Sequence, residues 1–524
     1  MSFLSGLIGA RSRLSGFSLM SAGNVLVAVF TYLRQAEIAR AFGTSGMTDA
    51  YAVALVFPIL AQQVIAHAFG SSFVPVYTEV LHRRGVEAAA GLVNRILCWI
   101  AVSGGLLILA LLGGSRHLVS VAGPGLGAGN LDLSASMLRI MLPMLVLVAS
   151  TGILTGLLSA QRRFGIVSAV NVANIAVSFA TVVLFHRSLG IMVLPVSGLA
   201  GSATGFAVSA AAAVGSGHVP RFEPDPRDAD FSRLLRLSAP VMTGAILGFL
   251  GPMADRALAS VLAESSVTAM DYAARIRDMA LAVLFLPMSA LADVGLSEKS
   301  ARNDMPAFGE ELRSLLNWTS FLMLPAAALL SMFATPAVSV LFMRGSFDRE
   351  STELVGRALA FYAPWLAQFG FGSVVSRGFY ALKDTRTPVL IGIWGMAANV
   401  LLNVVLMVPM GIAGLALAST LSSTAKTLLL VYFFRRKSPE MSFRPVLIEH
   451  ARLLAAVSAM VAAGLLLSSA LPVDLDAGLA ERVANLAVLG TSSALVYVLV
   501  CVLLRAAPAR LAAGRPGRGA WNRG

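Results

Sequence analysis

Long apolar stretches separated by short polar breaks run through almost the whole chain, and they restrict its fold more than any other feature. A backbone in the hydrocarbon core of a bilayer has to satisfy its hydrogen bonds internally, and a membrane-spanning helix needs about 20 apolar residues. We therefore predict an all-α polytopic membrane protein with about 14 transmembrane helices. The approximate positions of these spans are 16–41, 50–80, 88–114, 134–160, 164–186, 191–216, 232–262, 266–296, 309–335, 350–379, 386–409, 412–434, 447–470 and 482–505.

The scarcity of charged residues agrees with this class. Hydrophobic residues make up 57% of the 524 residues and charged residues 13%, whereas soluble globular proteins carry about 25% charged residues. The net charge of +13 does not indicate nucleic-acid binding, because no soluble domain remains to carry a basic face. Cys98 and Cys501 both lie in apolar stretches, so we expect neither a disulfide framework nor a cysteine metal cluster.

Basic residues collect at alternate breaks between the spans. Arg162, Arg163 and the run Arg435–Lys437 follow even-numbered spans, whereas the break at 263–265 holds no lysine or arginine. Lysine and arginine accumulate in cytoplasmic loops of membrane proteins. We therefore predict a bacterial inner-membrane protein with both termini in the cytoplasm. The basic tail, residues 506–524, is expected to lie close to anionic membrane lipids.

The sequence also repeats itself weakly at a spacing near 217 residues. Ser21-Ala22 is echoed by Ser238-Ala239, and Gly198–Ala200 is echoed by Gly414–Ala416. Six helices separate the equivalent points, so both halves run through the membrane in the same direction. Parallel repeats of this kind are a transporter architecture with the substrate site between the lobes.

This repeat sets the predicted domain organisation as two pseudo-symmetric six-helix lobes plus two C-terminal helices. We assign residues 1–220 to the first lobe with helices 1–6, and residues 221–440 to the second lobe with helices 7–12. Residues 441–505 hold helices 13 and 14, and residues 506–524 form the basic tail.

Three blocks of the sequence resemble the MviN/MurJ family. They are Arg34–Gly43 (RQAEIARAFG) with Thr48–Tyr51, Asp255–Ser260 continuing to Tyr272–Arg275, and Leu341–Gly345 through Gly378–Ala381 to Asp384–Pro388. The resemblance covers roughly residues 17–435. It implies the fold of the multidrug/oligosaccharidyl-lipid/polysaccharide exporter superfamily. The implied activity is that of a flippase, which moves undecaprenyl-diphosphate-linked glycans, chiefly lipid II for peptidoglycan synthesis, from the inner to the outer leaflet.

The resemblance implies four substrate-binding positions, namely Arg34, Asp49, Arg275 and Asp278. Charges at bilayer depth usually face a bundle interior or a watery cavity, and guanidinium groups bind phosphate oxygens bidentately. Each position also has a structural alternative. Arg34 could pair with Glu37, Asp49 could cap a helix N-terminus, and Arg275 could pair with Asp278 at i,i+3.

The spacing on the same helix predicts that Arg277 points away from the pair formed by Arg275 and Asp278. The family pattern has further cations where this chain has Ala28 and Gln62. Either other arginines compensate for them or the glycan differs from lipid II. The candidate compensating cations are Arg40, Arg256 and Arg277.

The family resemblance also implies a monovalent cation site that would couple transport to sodium. Its candidate ligands are Asp255, Asn399, Asn403 and Ser419. Asn399 and Asn403 share a helix face at i,i+4, but asparagines also hold membrane helices together by hydrogen bonds. We predict no other cofactor.

Several function classes compete at this stage. We expect a transporter and not an enzyme, because the sequence contains neither a Walker-type phosphate loop nor an obvious catalytic set. The alternatives are a flippase for an exopolysaccharide or other polyprenyl-linked repeat unit, and a drug/cation antiporter. The expected partners are the polyprenyl-diphosphate-linked glycan lipid, membrane lipids and the cell-wall synthesis machinery. Alternating access is the expected mechanism.

Overall fold

The computed structural model describes residues 23–223, 225 and 228–506, and every regular element in this part of the chain is helical. The predicted all-α class is thereby confirmed. Ten helical stretches of the described residues are long and apolar enough to cross a membrane. Two of them, Ser72–Ala122 and Phe164–Val214, contain 51 residues each, which exceeds one crossing of about 20 residues. The count of fourteen spans stays a prediction, and the tail from residue 507 lies outside the described residues.

The chain divides into two compact units, Met1–Ser265 and Ser266–Gly524. The helices of the first unit are α1 (residues 23–42), α2 (Gly46–Ala54), α3 (Val56–Ala122), α4 (Ala128–Met141), α5 (Pro143–Ala160), α6 (Phe164–Leu189), α7 (Val193–Val214) and α8 (Ala229–Ser260). Helix α8, which the sequence analysis assigned to the second lobe, packs along α3 and belongs to the first unit. The predicted lobe boundaries otherwise stay predictions.

The second unit contains ten helices within the described residues. They are α9 (Ser266–Leu284), α10 (Leu286–Ala301), α11 (Met305–Met332), α12 (Ala334–Phe342), α13 (Arg349–Tyr362), α14 (Trp365–Ala381), α15 (Arg386–Met410), α16 (Ile412–Lys437), α17 (Arg444–Ala470) and α18 (Leu479–Leu503). Helices α15 and α16 pack as an antiparallel pair. Gly411 makes the turn between them with φ +57°, a backbone conformation that favours glycine.

Glycine and proline divide the longest helical stretches where the sequence predicts breaks. Gly85 has φ 84° and ψ −177° and bends α3 beside the basic residues Arg83 and Arg84. Pro143 begins α5, and Pro364 is the N-cap residue of α14. Proline lacks an N–H donor and is therefore tolerated in the first turn of a helix. These two prolines therefore mark helix starts within the predicted spans 134–160 and 350–379.

Each unit has its own apolar core. In the first unit, Phe73 and Tyr77 of α3 stack with ring centroids 5.6 Å apart inside a buried cluster that also contains Phe231 of α8. In the second unit, Phe379 and Phe434 meet edge to face at 5.0 Å. Burial of these side chains fixes the faces of the helices and so determines which polar residues point inward.

Candidate functional site

Arg34 of α1 is a half-buried cation of the first unit. Its Nη2 donates to the Tyr51 hydroxyl of α2 at 3.3 Å and to the Ser197 Oγ of α7 at 3.1 Å. Its Nε is buried without a hydrogen-bond partner among the described residues. The contacts of this guanidinium are thus to neutral hydroxyls, which position it and leave its charge uncompensated. A permanently charged group in this state attracts an anion.

Glu37 does not pair with Arg34, so the structural alternative for Arg34 is wrong. The Glu37 carboxylate binds the Arg40 guanidinium instead, with Arg40 Nε to Glu37 Oε2 at 2.8 Å. The i,i+3 spacing brings these two side chains together on one helix face, and Ser197 and Tyr51 hold Arg34 on another. The Arg40 side chain is 45% exposed and bound to an acid. Its proposed role as a compensating cation stays a prediction.

Asp49 is only 4% exposed and lies in the first turn of α2. The N-cap of this helix is Ser45, whose Oγ accepts from the Thr48 N–H at 3.3 Å while the Thr48 Oγ1 accepts from the Ser45 N–H at 2.8 Å. The alternative that Asp49 caps the helix is therefore wrong, because Ser45 and Thr48 already form a reciprocal capping box. Its carboxylate still lies at the positive end of the helix dipole.

The charged residues of α9 in the second unit pair differently from the prediction. Asp278 Oδ1 lies 2.7 Å from Nη2 of Arg277, so its partner is Arg277 and not Arg275. Arg277 lies between the rings of Tyr362 and Trp365, each 4.2 Å from its guanidinium carbon. These two aromatic faces fix the side chain of Arg277 next to the Asp278 carboxylate. The predicted i,i+3 pair, and the prediction that Arg277 points away, are wrong.

This pairing leaves Arg275 as a half-buried cation of the second unit without Asp278 as its partner. No hydrogen bond or ion pair joins its side chain to another described residue. The Asp278 side chain is 56% exposed and forms an ion pair with Arg277, whose side chain is 11% exposed. Arg34 in the first unit and Arg275 in the second are therefore half-buried arginines that no carboxylate of the described residues neutralises, and Arg313 of α11 shares this property.

The candidate sodium ligands are distributed over the two units. Asp255 and Arg256 lie half-buried near the end of α8 in the first unit. The other three ligands lie on α15 and α16, where Asn403 Nδ2 donates to Asn399 Oδ1 at 3.2 Å and Asn399 Nδ2 donates to Ser419 Oγ at 3.3 Å. These bonds join the two helices, as the alternative of helix packing requires. The sodium site and the compensating role of Arg256 stay predictions.

Two further charged positions were missed by the sequence analysis. Lys426 is half-buried within α16, and its side chain packs against Gly395 of α15. Arg377 of α14 has its Nε 2.9 Å from Asp293 Oδ1 of α10. The available signal was the same as for Arg34, a charge inside an apolar stretch.

Lys426 is too far from the basic end of α16 for its side chain to reach that end. Nine residues separate Lys426 from Arg435, which corresponds to about 13 Å of helix. The lysine side chain is about half that length, so its ammonium group stays at depth unless water reaches it. Lys426 forms no hydrogen bond or ion pair with another described residue. It is thus a further half-buried cation of the second unit that no described carboxylate neutralises.

Multiple apolar helices and half-buried cations define a multi-pass membrane protein, and similarity to solved structures defines its fold. The chain is similar to a structure described as lipid II flippase MurJ in an inward closed conformation, with TM-score 0.77, 20% identity and coverage of 93% of this chain and 99% of that chain. It is also similar to an inward-facing MATE family multidrug resistance transporter of the MOP superfamily, with TM-score 0.69, 14% identity and coverage of 79% and 95%. The chain therefore has the helical fold that these two structures share.

Within this class, the chain belongs to the lipid II flippase MurJ family. The family profile matches residues 38–478. The lipid II flippase MurJ of Burkholderia cenocepacia is 28% identical over 446 residues, which are 82% of this chain and 84% of that protein. A probable lipid II flippase MurJ of Vibrio cholerae is 26% identical over 391 residues, with coverage of 70% and 74%. The expected family is confirmed, and with it a transporter of the bacterial inner membrane.

Proposed function

We propose that this protein is a flippase that moves lipid II from the cytoplasmic to the periplasmic leaflet by alternating access. Family membership over residues 38–478 supports the cargo. The observation that carries the proposal is that Arg34 and Arg275, the two arginines that the family resemblance implies as substrate contacts, are both half-buried with no carboxylate of the described residues paired to them. The negative charge of a diphosphate neutralises guanidinium groups of this kind.

The chemistry of the cargo fits such a pair of cations. A polyprenyl tail can remain in lipid, whereas the diphosphate and the sugars have to be kept from the hydrocarbon. Guanidinium groups suit the diphosphate because they keep their charge at any working pH and bind two phosphate oxygens at once. Hydroxyl contacts from Tyr51 and Ser197 hold Arg34 in place for this contact. In the second unit, the carboxylate of Asp278 positions Arg277 and leaves Arg275 available.

An inside-negative membrane potential would drive the return of the empty carrier. Uncompensated arginines that reorient across the membrane move net positive charge. The membrane field is worth about 2.3 kcal/mol per elementary charge per 100 mV, which is sufficient to bias a conformational cycle without ATP. Sodium coupling through Asp255, Asn399, Asn403 and Ser419 is a second proposed source of energy. The amide network of α15 and α16 is compatible with helix packing alone.

A different polyprenyl-diphosphate-linked glycan, such as an exopolysaccharide repeat unit, is the second candidate cargo. The observation in its favour is the replacement of two family cations by Ala28 and Gln62. Lys426 supplies one additional half-buried cation that offsets part of this loss. A drug/cation antiporter of the same superfamily fits less well, because Arg34, Arg275 and Lys426 favour anions. Contact with the cell-wall synthesis machinery is also proposed, because it follows from lipid II as the cargo.

Complementation of a strain depleted of its own lipid II flippase tests the proposal. Wild type, Arg34→Gln and Arg275→Gln are compared with Arg116→Gln, a control in which the lost arginine is 62% exposed and paired with Asp132. We expect wild type and the control to restore growth and the exposure of lipid II at the outer leaflet. We expect both other variants to fail at equal membrane abundance. Failure of the wild type at normal abundance would favour the exopolysaccharide cargo.

A further inference from the structure

A basic cavity of about 570 Å³ lies where α16 ends and α17 begins. The last turn of α16, the connection at 438–443 and the first turn of α17 enclose it. Three guanidinium groups line the cavity, those of Arg435, Arg436 and Arg444. It is separate from Arg34 and Arg275, and the proposed flippase activity does not use it.

The charge in this cavity is not neutralised by the protein. No carboxylate lines it, and none of its three arginines forms an ion pair with a described carboxylate. The neighbouring Lys437 differs, because its Nζ lies 2.6 Å from Asp384 Oδ2. Arg435, Arg436 and Arg444 therefore repel one another unless an anion lies between them. A phosphate group is the anion that a cluster of guanidinium groups matches best in geometry and charge.

The backbone and one aromatic ring add to the preference for an anion. Phe443, the N-cap residue of α17, provides no side-chain hydrogen bond, whereas the Arg444 N–H donates to the Ser442 Oγ at 3.4 Å and Pro445 has no N–H. The contribution of this helix end to the cavity is therefore mainly the positive end of the dipole of a 27-residue helix. The Arg436 guanidinium carbon lies 4.7 Å above the Tyr432 ring. This stacking holds the planar group with its N–H edge free.

Apolar surface next to the cavity indicates that the phosphate belongs to a lipid. Both helices that form the cavity are long and apolar enough to cross a membrane. Leu447, in its wall, is 59% exposed, and Leu428, one turn from Tyr432, is 65% exposed. A soluble phosphate ion needs no such surface, whereas the acyl chains of a phospholipid lie along it. Basic pockets between membrane helices commonly bind anionic headgroups.

We propose that the cavity between α16 and α17 binds the phosphate of an anionic phospholipid headgroup through Arg435, Arg436 and Arg444. The acyl chains extend along the exposed leucines of the two helices. The bound lipid neutralises the three arginines and joins the ends of α16 and α17. This site is independent of the cargo and would remain if the lipid II assignment failed.

Lipid binding to the purified full-length protein in neutral detergent tests this proposal. The probes are short-chain phosphatidylglycerol, short-chain phosphatidylcholine and inorganic phosphate, and the dissociation constant is measured by native mass spectrometry. The double variant Arg435→Gln/Arg436→Gln is compared with Arg162→Gln/Arg163→Gln, which removes the same charge from an exposed connection between helices. We expect the first to bind phosphatidylglycerol about 30-fold more weakly and the second to bind like wild type.

Each alternative result has a definite meaning. Equal loss in both double variants would overturn the proposal, since it would indicate general attraction to a basic protein. Saturation of wild type by inorganic phosphate at the same concentration as phosphatidylglycerol would reassign the cavity to a soluble anion. Equal binding of phosphatidylcholine, which is zwitterionic but carries the same phosphate, would overturn the assignment to an anionic headgroup. Should the first double variant misfold, Arg444→Gln alone is expected to weaken phosphatidylglycerol binding about fivefold.

Discussion

Arg275 and Arg277 are two residues apart on α9, yet their surroundings predict opposite consequences for their removal. Arg277 lies between the rings of Tyr362 and Trp365 and is bound to Asp278. Arg275 forms no hydrogen bond or ion pair with another described residue. We therefore expect Arg277→Ala to reduce stability, and Arg275→Ala to abolish transport while leaving stability unchanged.

The size of the stability difference follows from these contacts. Each desolvated cation–π contact contributes about 0.5–2 kcal/mol. An ion pair to an acid that is 56% exposed adds about 0–1 kcal/mol because solvent screens it. Arg277→Ala should thus lower the free energy of unfolding by about 1–5 kcal/mol. Arg275→Ala should stay within about 0.5 kcal/mol of wild type, as is usual for a residue without specific partners.

Thermal unfolding of the purified variants in detergent measures the first quantity, and complementation of the flippase-depleted strain measures the second. Arg277→Lys provides a further comparison, since it keeps the charge but loses the planar stacking group. We expect its stability to lie between those of wild type and Arg277→Ala. A loss of stability in Arg275→Ala equal to that in Arg277→Ala would refute the distinction, and so would full complementation by Arg275→Ala.

Three further predictions concern the fold and its dependence on pH. Gly85→Ala should destabilise the protein by about 1–3 kcal/mol because φ 84° and ψ −177° are accessible essentially only to glycine. Gly105→Ala, in the same helix, should not destabilise it, since an added methyl group meets no neighbouring atom at either position. Thermal unfolding compares the two variants. Lys437 and the Thr387 N–H lower the pKa of the Asp384 carboxyl from 3.8 to about 2, so its stabilisation is complete above pH 3.8 and lost as the pH falls through 2. Asp384→Asn should thus lower the free energy of unfolding by about 1–2 kcal/mol at neutral pH and by less when unfolding is measured in acid. Burial lowers the pKa of His218 from 6.5, so the folded state binds fewer protons than the unfolded state, and stability should fall as the pH drops below 6.5. The melting temperature of wild type and His218→Gln, measured against pH, tests this. Loss of the decline in His218→Gln would support His218 as its cause, and an unchanged profile would contradict it.

Much of the architecture could be predicted from sequence because the constraint is local. Hydropathy over about 20 residues indicates a membrane helix whatever its neighbours are. Glycine and proline mark bends through their own backbone preferences, as Gly85 and Pro364 do. The family could be predicted for a similar reason, since its blocks of motifs are contiguous in the chain. These features need no knowledge of which helices pack together.

The positions of candidate cations could likewise be predicted, because a charge within an apolar stretch is visible in the sequence. Arg34 and Arg275 were identified in this way and are half-buried. Lys426 gave the same signal and was overlooked. The basic residues at the end of α16 were interpreted only as a marker of topology, since the cavity they form also requires the first turn of α17.

The partners of these charges were decided only by the tertiary structure. Helical spacing predicted that Asp278 binds Arg275, yet it binds Arg277, because Tyr362 and Trp365 of distant segments hold that guanidinium in place. Helical spacing also allowed Glu37 to bind Arg34. Glu37 binds Arg40 instead, and Ser197 of α7 accepts a hydrogen bond from Arg34. The sequence therefore determined the all-α class, the family and which charges fall within apolar stretches. Which of them are neutralised depends on side chains that only packing brings together.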